Sequence, residues 1–288
     1  MKKAIRIAIA GMFVSGCLGA IKIVAGLKGH SASVLADGLE SACDVLASGM
    51  VLVGLILSAR PADENHPYGH GRVETLTGLL LGLFLFNTGL FIAWRGLAGL
   101  SDVSHVPEPW TVYPLILSIL AKGVLMFFKR RHARSIGSSA LMADATNDGL
   151  DTLSGFVALL CLSLALWRPG QLGKADHYGA FLVGLIVSVT SLRVVLEDSL
   201  HLMDTMPDDA AMSRIREVAM SVDGALGVEK CFARKTGMRY HADLHLEVAP
   251  EITVRESHEI AQRVRMRVRE QVPWVADVLV HVEPWPGK

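Results

Sequence analysis

Charge is scarce in this 288-residue chain: Asp, Glu, Lys and Arg make up 19% of it, and 28 basic residues balance 28 acidic ones to a formal net charge of zero. That balance argues against nucleic acid as a partner, which would need a basic stripe or patch. Paired cysteine is missing too. Of the four cysteines, Cys17, Cys43 and Cys161 lie in apolar segments and only Cys231 lies in a polar one, without any CxxC. Neither a disulfide framework nor a thiolate zinc site follows. No HExxH is present, so a membrane metalloenzyme with an open metal position and a general base lacks its motif, and the chain does not read as an enzyme.

What the chain does have is apolar length. It is 51% hydrophobic with a mean hydropathy of +0.39, unlike an average soluble domain. About 20 mostly apolar residues cross a bilayer core, and six such stretches occur near 5–27, 33–58, 73–100, 111–129, 139–166 and 177–203. The N-terminus "MKKAIRIAIAGMFVSG" begins like a signal peptide, but its apolar run continues to "GAIKIVAGLKG" and reads as a retained first span. Lys2, Lys3 and Arg6 precede that span, Arg60 and Arg72 flank the second loop, and "KRRHAR" forms the fourth, whereas "SDVSHVPEP" holds no Lys or Arg. The positive-inside bias puts both termini in the cytoplasm of what reads as a multi-pass bacterial inner-membrane protein.

Residues 1–206 therefore read as a six-helix transmembrane domain, and 207–288 as a small cytoplasmic α/β domain. In the second, "AAMSRIREVAMSV" and "VRESHEIAQRVRMRVREQV" have helical periodicity. "GVEKCFARKTG", "RYHADLHLEVA" and "VADVLVHVEP" read as strands, giving the order αββαβ with helices on one face of a three-stranded sheet. His241, Asp243, His245 and Glu247 alternate with apolar residues and form the polar face of a half-buried strand; His241 is expected to be solvated.

Two spans carry carboxylates. "ADGLESACD" places Glu40 and Asp44 one helical turn apart, and "ADATNDGLD" does the same for Asn147 and Asp151. Facing each other, the two spans would make a four-ligand oxygen pocket. Ionisable groups at membrane depth are costly and by default mark ion or proton pathways. Asp37 and Asp144 lie nearer the N-terminal ends and read as vestibule or helix-contact groups. A further constellation, "PADENHPYGHGRVE", puts Asp63, His66 and His70 at i, i+3 and i+7 in the loop after the second span, a competent set for a first-row divalent metal.

"ADGLESACD", "PADENHPYGHGRVE", "ADATNDGLD" and the tail's "HLE…H…HVEP" together resemble the cation diffusion facilitator family of divalent metal transporters over nearly the whole chain. The resemblance implies six transmembrane helices plus a metallochaperone-like αββαβ domain. It also implies a homodimer that exports metal (Zn, Mn or Fe) from the cytoplasm in exchange for protons. By position it assigns a transport site to Glu40, Asp44, Asn147 and Asp151, a loop site to Asp63, His66 and His70, and a cytoplasmic site to Glu229, His245, His258, His281 and Glu283. It further implies a charge interlock between Arg72 and Asp204. The chain departs from the usual zinc pattern at Asn147, where His is common, and at Glu229, where His or Asp is. Without imidazole the transport site offers oxygen alone, which suits harder cations such as Mn(II) and Fe(II), while affinity alone still ranks Zn(II) above Mn(II), so the metal stays open among the three. A channel or a membrane-bound sensor using the same sites without proton coupling stands as the alternative.

Overall fold

Long apolar runs fold as helices because a helix satisfies its own backbone hydrogen bonds where no water is present. The computed structural model describes residues 2–101, 106–136 and 139–287. It forms helices α1 (Lys2–Lys28), α2 (Ala32–Ser58), α3 (Arg72–Ala98), α4 (Val112–Ile136) and α5 (Ser139–Trp167). A four-residue helix α6 (Pro169–Leu172) and the long α7 (Ala175–Leu202) follow. Six of these are long and apolar enough to cross a membrane, and large side chains such as Phe91, Trp94, Phe127 and Phe128 stand exposed on them.

Two compact units group the elements: Met1–Leu52 with Leu80–Val194, and Val53–Leu79 with Val195–Lys288. In the first unit, α4 packs most extensively on α5. α3 and α7 approach closely at glycine, since a Cβ on Gly184 would fall 2.4 Å from the Ala93 nitrogen and 2.6 Å from the Gly89 oxygen. Small residues at such a crossing allow backbone contact that larger ones forbid.

Among the described residues, three lysines lie buried in this apolar unit, each against a carboxylate. Lys22 donates to Asp37 at 2.6 Å and to Ser41 at 2.8 Å, joining α1 to α2. Lys122 and Lys129, seven residues apart on α4, pair with Asp151 and Asp148 of α5, the latter at 2.6 Å. Asp37 is thus a helix-contact group, as expected; the side chain of Asp144 lies outside the described residues.

The N-terminus of α2 is held by Asp176 at the start of α7. Its carboxylate, 2% exposed, accepts from Ser31 Oγ (2.8 Å), Ala32 N (2.5 Å) and Ser33 Oγ (2.5 Å). First-turn N–H groups have no partner inside a helix, and an acidic group there also meets the positive end of the helix dipole. Asp176→Ala is expected to cost about 2–4 kcal/mol. The check is the thermal midpoint of the purified protein, which should fall while the far-UV spectrum of the surviving fold stays helical.

The tail forms α8 (Asp209–Met220), β1 (Gly227–Thr236), β2 (Arg239–Val248), α9 (Val254–Gln271) and β3 (Val275–Pro284), the αββαβ order read from the sequence. The sheet runs β1-β2-β3, antiparallel between the first pair and parallel between the second. Met212, Ile215 and Val218 of α8 share one core with Ile260, Val264 and Val268 of α9 and with Cys231, Leu244 and Leu246 of the sheet. Alternation along β2 follows directly: Ala242, Leu244, Leu246 and Val248 face this core while His241, Asp243, His245 and Glu247 do not. Thr253 and Glu256 close a capping box at the start of α9.

α9 is tied to β3 by a bidentate pair, Arg265 Nε to Asp277 Oδ1 at 2.7 Å and Nη2 to Oδ2 at 2.6 Å. The Arg265 hydrogen bonds hold the Asp277 carboxyl below the usual carboxylate range. A lowered folded-state value stabilises the fold above the ordinary aspartate pKa of about 3.9, and the gain disappears as pH falls through the folded value. The pair is more than a third exposed, so Asp277→Asn is expected to cost under about 1 kcal/mol at neutral pH. Urea unfolding of residues 207–288 expressed alone should show that cost at pH 7 and its disappearance in acid.

Candidate functional site

The centre of the first unit gathers acid around one lysine. Glu40 and Asp44 come from α2, Asp151 from α5 and Lys122 from α4. The Lys122 ammonium hydrogen-bonds Asp151 and lies 3.7 Å from Asp44 Oδ2. Its side chain is 1% exposed, and those of Asp151 and Asp44 are 8% and 24% exposed. Glu40 is buried and lies within electrostatic reach of Asp44 and Asp151. Among the described residues, buried Glu40 Oε2 and Asp44 Oδ2 have no hydrogen-bond partner, a costly condition for acceptors in a low dielectric. Asp44 and Asp151 therefore meet at Lys122, with Glu40 in electrostatic reach of both; among the described residues the three acids do not come within 4.8 Å of one another as the loop and tail groups do. Asn147 lies one turn before Asp151 with an exposed side chain, outside the buried cluster.

No motif in the sequence singles out Lys122. Its signal was present in "SILAKGVLMF", a lone cation in an apolar run, which is as costly at membrane depth as a carboxylate.

In the second unit the loop brings Asp63, His66 and His70 together, one ligand atom from each lying within 4.8 Å of the others. Asp63 Oδ1 accepts from the backbone of Asn65 (3.0 Å) and His66 (2.7 Å), so the carboxylate folds its own turn. The same oxygen meets His66 Nδ1 at 2.9 Å, and Oδ2 lies 3.4 Å from His70 Nε2. The His66 contact is the main cause holding the Asp63 carboxyl below its ordinary range. Gly69, at φ +79°, supplies the left-handed backbone that lets the loop turn back between the two histidines.

The tail divides its expected site. His245 and His281 are register partners on β2 and β3, and with Glu283 they form a second group within 4.8 Å. His245 Nδ1 meets Glu283 Oε1 at 2.5 Å, and His281 Nε2 lies 3.7 Å from it. Interaction with the Glu229 side chain, and then with His245, holds the Glu283 carboxyl low; Glu229 therefore lies beside the cluster, while the group within 4.8 Å is His245, His281 and Glu283. His258 sits elsewhere, lining a cavity with His241, Asp243 and Tyr68. His241, expected to be solvated, is half-buried, its ring edge-on to Tyr68 at 6.2 Å, and burial lowers its pKa.

Arg72 Nη2 reaches Asp204 Oδ1 at 2.5 Å. Both side chains are about half exposed, so the contact alone is worth about 0–1 kcal/mol. Reversing either charge should reduce transport and reversing both should restore it. The double mutant's flux checks this against the two singles.

Both parts of the chain match known families. The cation efflux transmembrane domain matches residues 8–203, and the cation efflux protein cytoplasmic domain matches residues 207–285. The chain belongs to the cation efflux, or cation diffusion facilitator, family of membrane metal transporters. Among its relatives, the uncharacterized transporter YdbO of Bacillus subtilis is 32% identical over 298 residues, covering 99% of this chain and 97% of that one. Manganese efflux system protein MneP of the same organism is 26% identical, covering 97% and 96%. Cation-efflux pump FieF of Escherichia coli O1:K1 is 28% identical, covering 97% and 92%. Among solved structures, MamM-CTD 215-293 is 34% identical over 27% of this chain and 98% of that one, with a TM-score of 0.26.

Proposed function

We propose that this protein exports a divalent first-row cation from the cytoplasm in exchange for protons, working as a homodimer in a bacterial plasma membrane with both termini cytoplasmic. The observation that carries the reading is that Asp44 and Asp151, from two helices inside the apolar unit, share the Lys122 ammonium with Glu40 in electrostatic reach of both. Metal binds deprotonated carboxylates and so displaces protons, which titrate as a group and not one by one. Mn(II) fits the donor set best, since every candidate transport ligand offers oxygen. The relatives named for manganese efflux support the same choice. The loop cluster and the Glu229, His245, His281 and Glu283 cluster are further sites for the ion, and imidazole lets both hold Zn(II) as well.

The test is metal flux in proteoliposomes under an imposed pH gradient. An acidic lumen should accelerate Mn(II) entry as protons leave, and an alkaline lumen should slow it. Flux that responds to the metal gradient alone would assign the chain to the channel reading instead.

A further inference from the structure

The three buried lysines are not equivalent. Lys22 is held by Asp37 and Ser41 at hydrogen-bonding distance, and Lys129 lies 2.6 Å from Asp148. Lys122 stands between helices α2 and α5, bonded to Asp151 and 3.7 Å from Asp44, where a cation shared by both aspartates would also have to stand. We propose that the Lys122 ammonium is a tethered competitor of the transported ion: it bridges Asp44 and Asp151 between transport events and gives up that position when a divalent cation binds. The proposal rests on the transport-site reading above.

The geometry favours it. One ammonium has three donors and a single charge, and among the described residues it leaves Glu40 Oε2 and Asp44 Oδ2 without hydrogen bonds. A doubly charged ion bonded to several oxygens satisfies what the lysine cannot. The four-carbon stem is flexible and carries its charge as a compact point, so the ammonium can withdraw while remaining attached to α4.

Two functional consequences follow. A tethered cation has a high effective concentration at the site, so sodium or potassium, which bring no more charge than the lysine, are excluded, whereas a divalent ion prevails. The same competition weakens metal binding and helps to expel the ion, as a transport site must bind loosely enough to release. Lys122 is thus a specificity-determining and positioning residue and not a metal ligand.

The test uses the full-length protein in lipid nanodiscs and in proteoliposomes. The loop and cytoplasmic clusters are silenced in every arm by His66→Ala, His70→Ala, His245→Ala and His281→Ala. Lys122→Met should bind Mn(II) at least about tenfold more tightly by calorimetry, because a cation about 4 Å from the ligands no longer opposes the ion. In flux assays its KM and maximal rate should fall together, and excess sodium should now inhibit. Lys122→Arg, which keeps the charge, should stay within about threefold of the parent affinity. If Lys122→Met fails to fold, Lys122→Gln, neutral but able to hydrogen-bond Asp151, carries the same expectation. Unchanged or weaker Mn(II) binding in the neutral variants, or equal tightening in Lys122→Arg, overturns the competitor role. Asp151→Asn separates this from the site itself. Loss of binding in that variant beside an unaltered Lys122→Met sinks only the competitor, whereas parental binding in Asp151→Asn sinks the transport site and the competitor together.

Discussion

Asp151→Ala is expected to abolish Mn(II) transport, lowering flux at least about 100-fold, and to destabilise the protein as well. Two different effects are combined in that result. The carboxylate is a charged ligand at the centre of the proposed site, and it is also the hydrogen-bonded partner of the Lys122 ammonium. With Asp151 gone, that ammonium keeps Asp44 at 3.7 Å as its ion-pair partner among the described residues, in surroundings that leave its side chain 1% exposed. Removing one member of a buried pair typically costs about 3–5 kcal/mol, whereas replacing both members by apolar groups is often neutral. The double variant Asp151→Ala with Lys122→Met should therefore recover the parental thermal midpoint while remaining inactive. Recovery of stability without transport separates the ligand role from the structural one. Transport at the parental rate in Asp151→Ala would remove Asp151 from the site.

The features that could be read from the sequence are those that the solvent imposes directly. Lipid demands about 20 apolar residues per crossing, so the six spans stand out by length alone, and each of the six helices lies close to its expected range. Period-two alternation in "HADLHLEV" marked the core face of β2, and the αββαβ order followed from the tail's punctuation. The i, i+4 spacing of Glu40 and Asp44 likewise puts both carboxylates one turn apart on α2, within electrostatic reach of each other.

Partners that depend on tertiary packing were not legible. Asp176 caps a helix whose first residues are 143–145 positions earlier in the chain, and no local pattern connects them. Lys22, Lys122 and Lys129 could have been noticed as isolated cations in apolar runs, but which acid each meets depends on how α1, α4 and α5 rotate about their axes. The same rotation problem explains His258. Its position on α9 carries it to the cavity with His241 and Asp243 and away from His245, His281 and Glu283, although all of them share the same short domain.

Asn147→His is expected to raise the Zn(II) to Mn(II) transport ratio about tenfold, because imidazole nitrogen suits the borderline Zn(II) and the amide oxygen it replaces suits the harder ion. The position is open to change: Asn147 is exposed, one turn before Asp151 on α5, so a larger ring there displaces no core. Histidine also adds a group with an ordinary pKa of about 6.5. Below that value the ring is a cation beside the site and opposes metal, so Zn(II) transport by the variant should decline as pH falls through the histidine range, while the parent, with no titrating group at this position, should lack that step. The measurement is the Zn(II) to Mn(II) flux ratio of variant and parent across a pH series. An unchanged ratio with an unchanged pH profile would put residue 147 outside the ligand shell. Asp148 would then be the remaining α5 candidate, turned about 100° around the helix and held at 2.6 Å by Lys129. To serve as a ligand it would have to leave that lysine, so Asp148→Asn should then abolish transport, whereas as a purely structural partner of Lys129 its loss should act through stability alone.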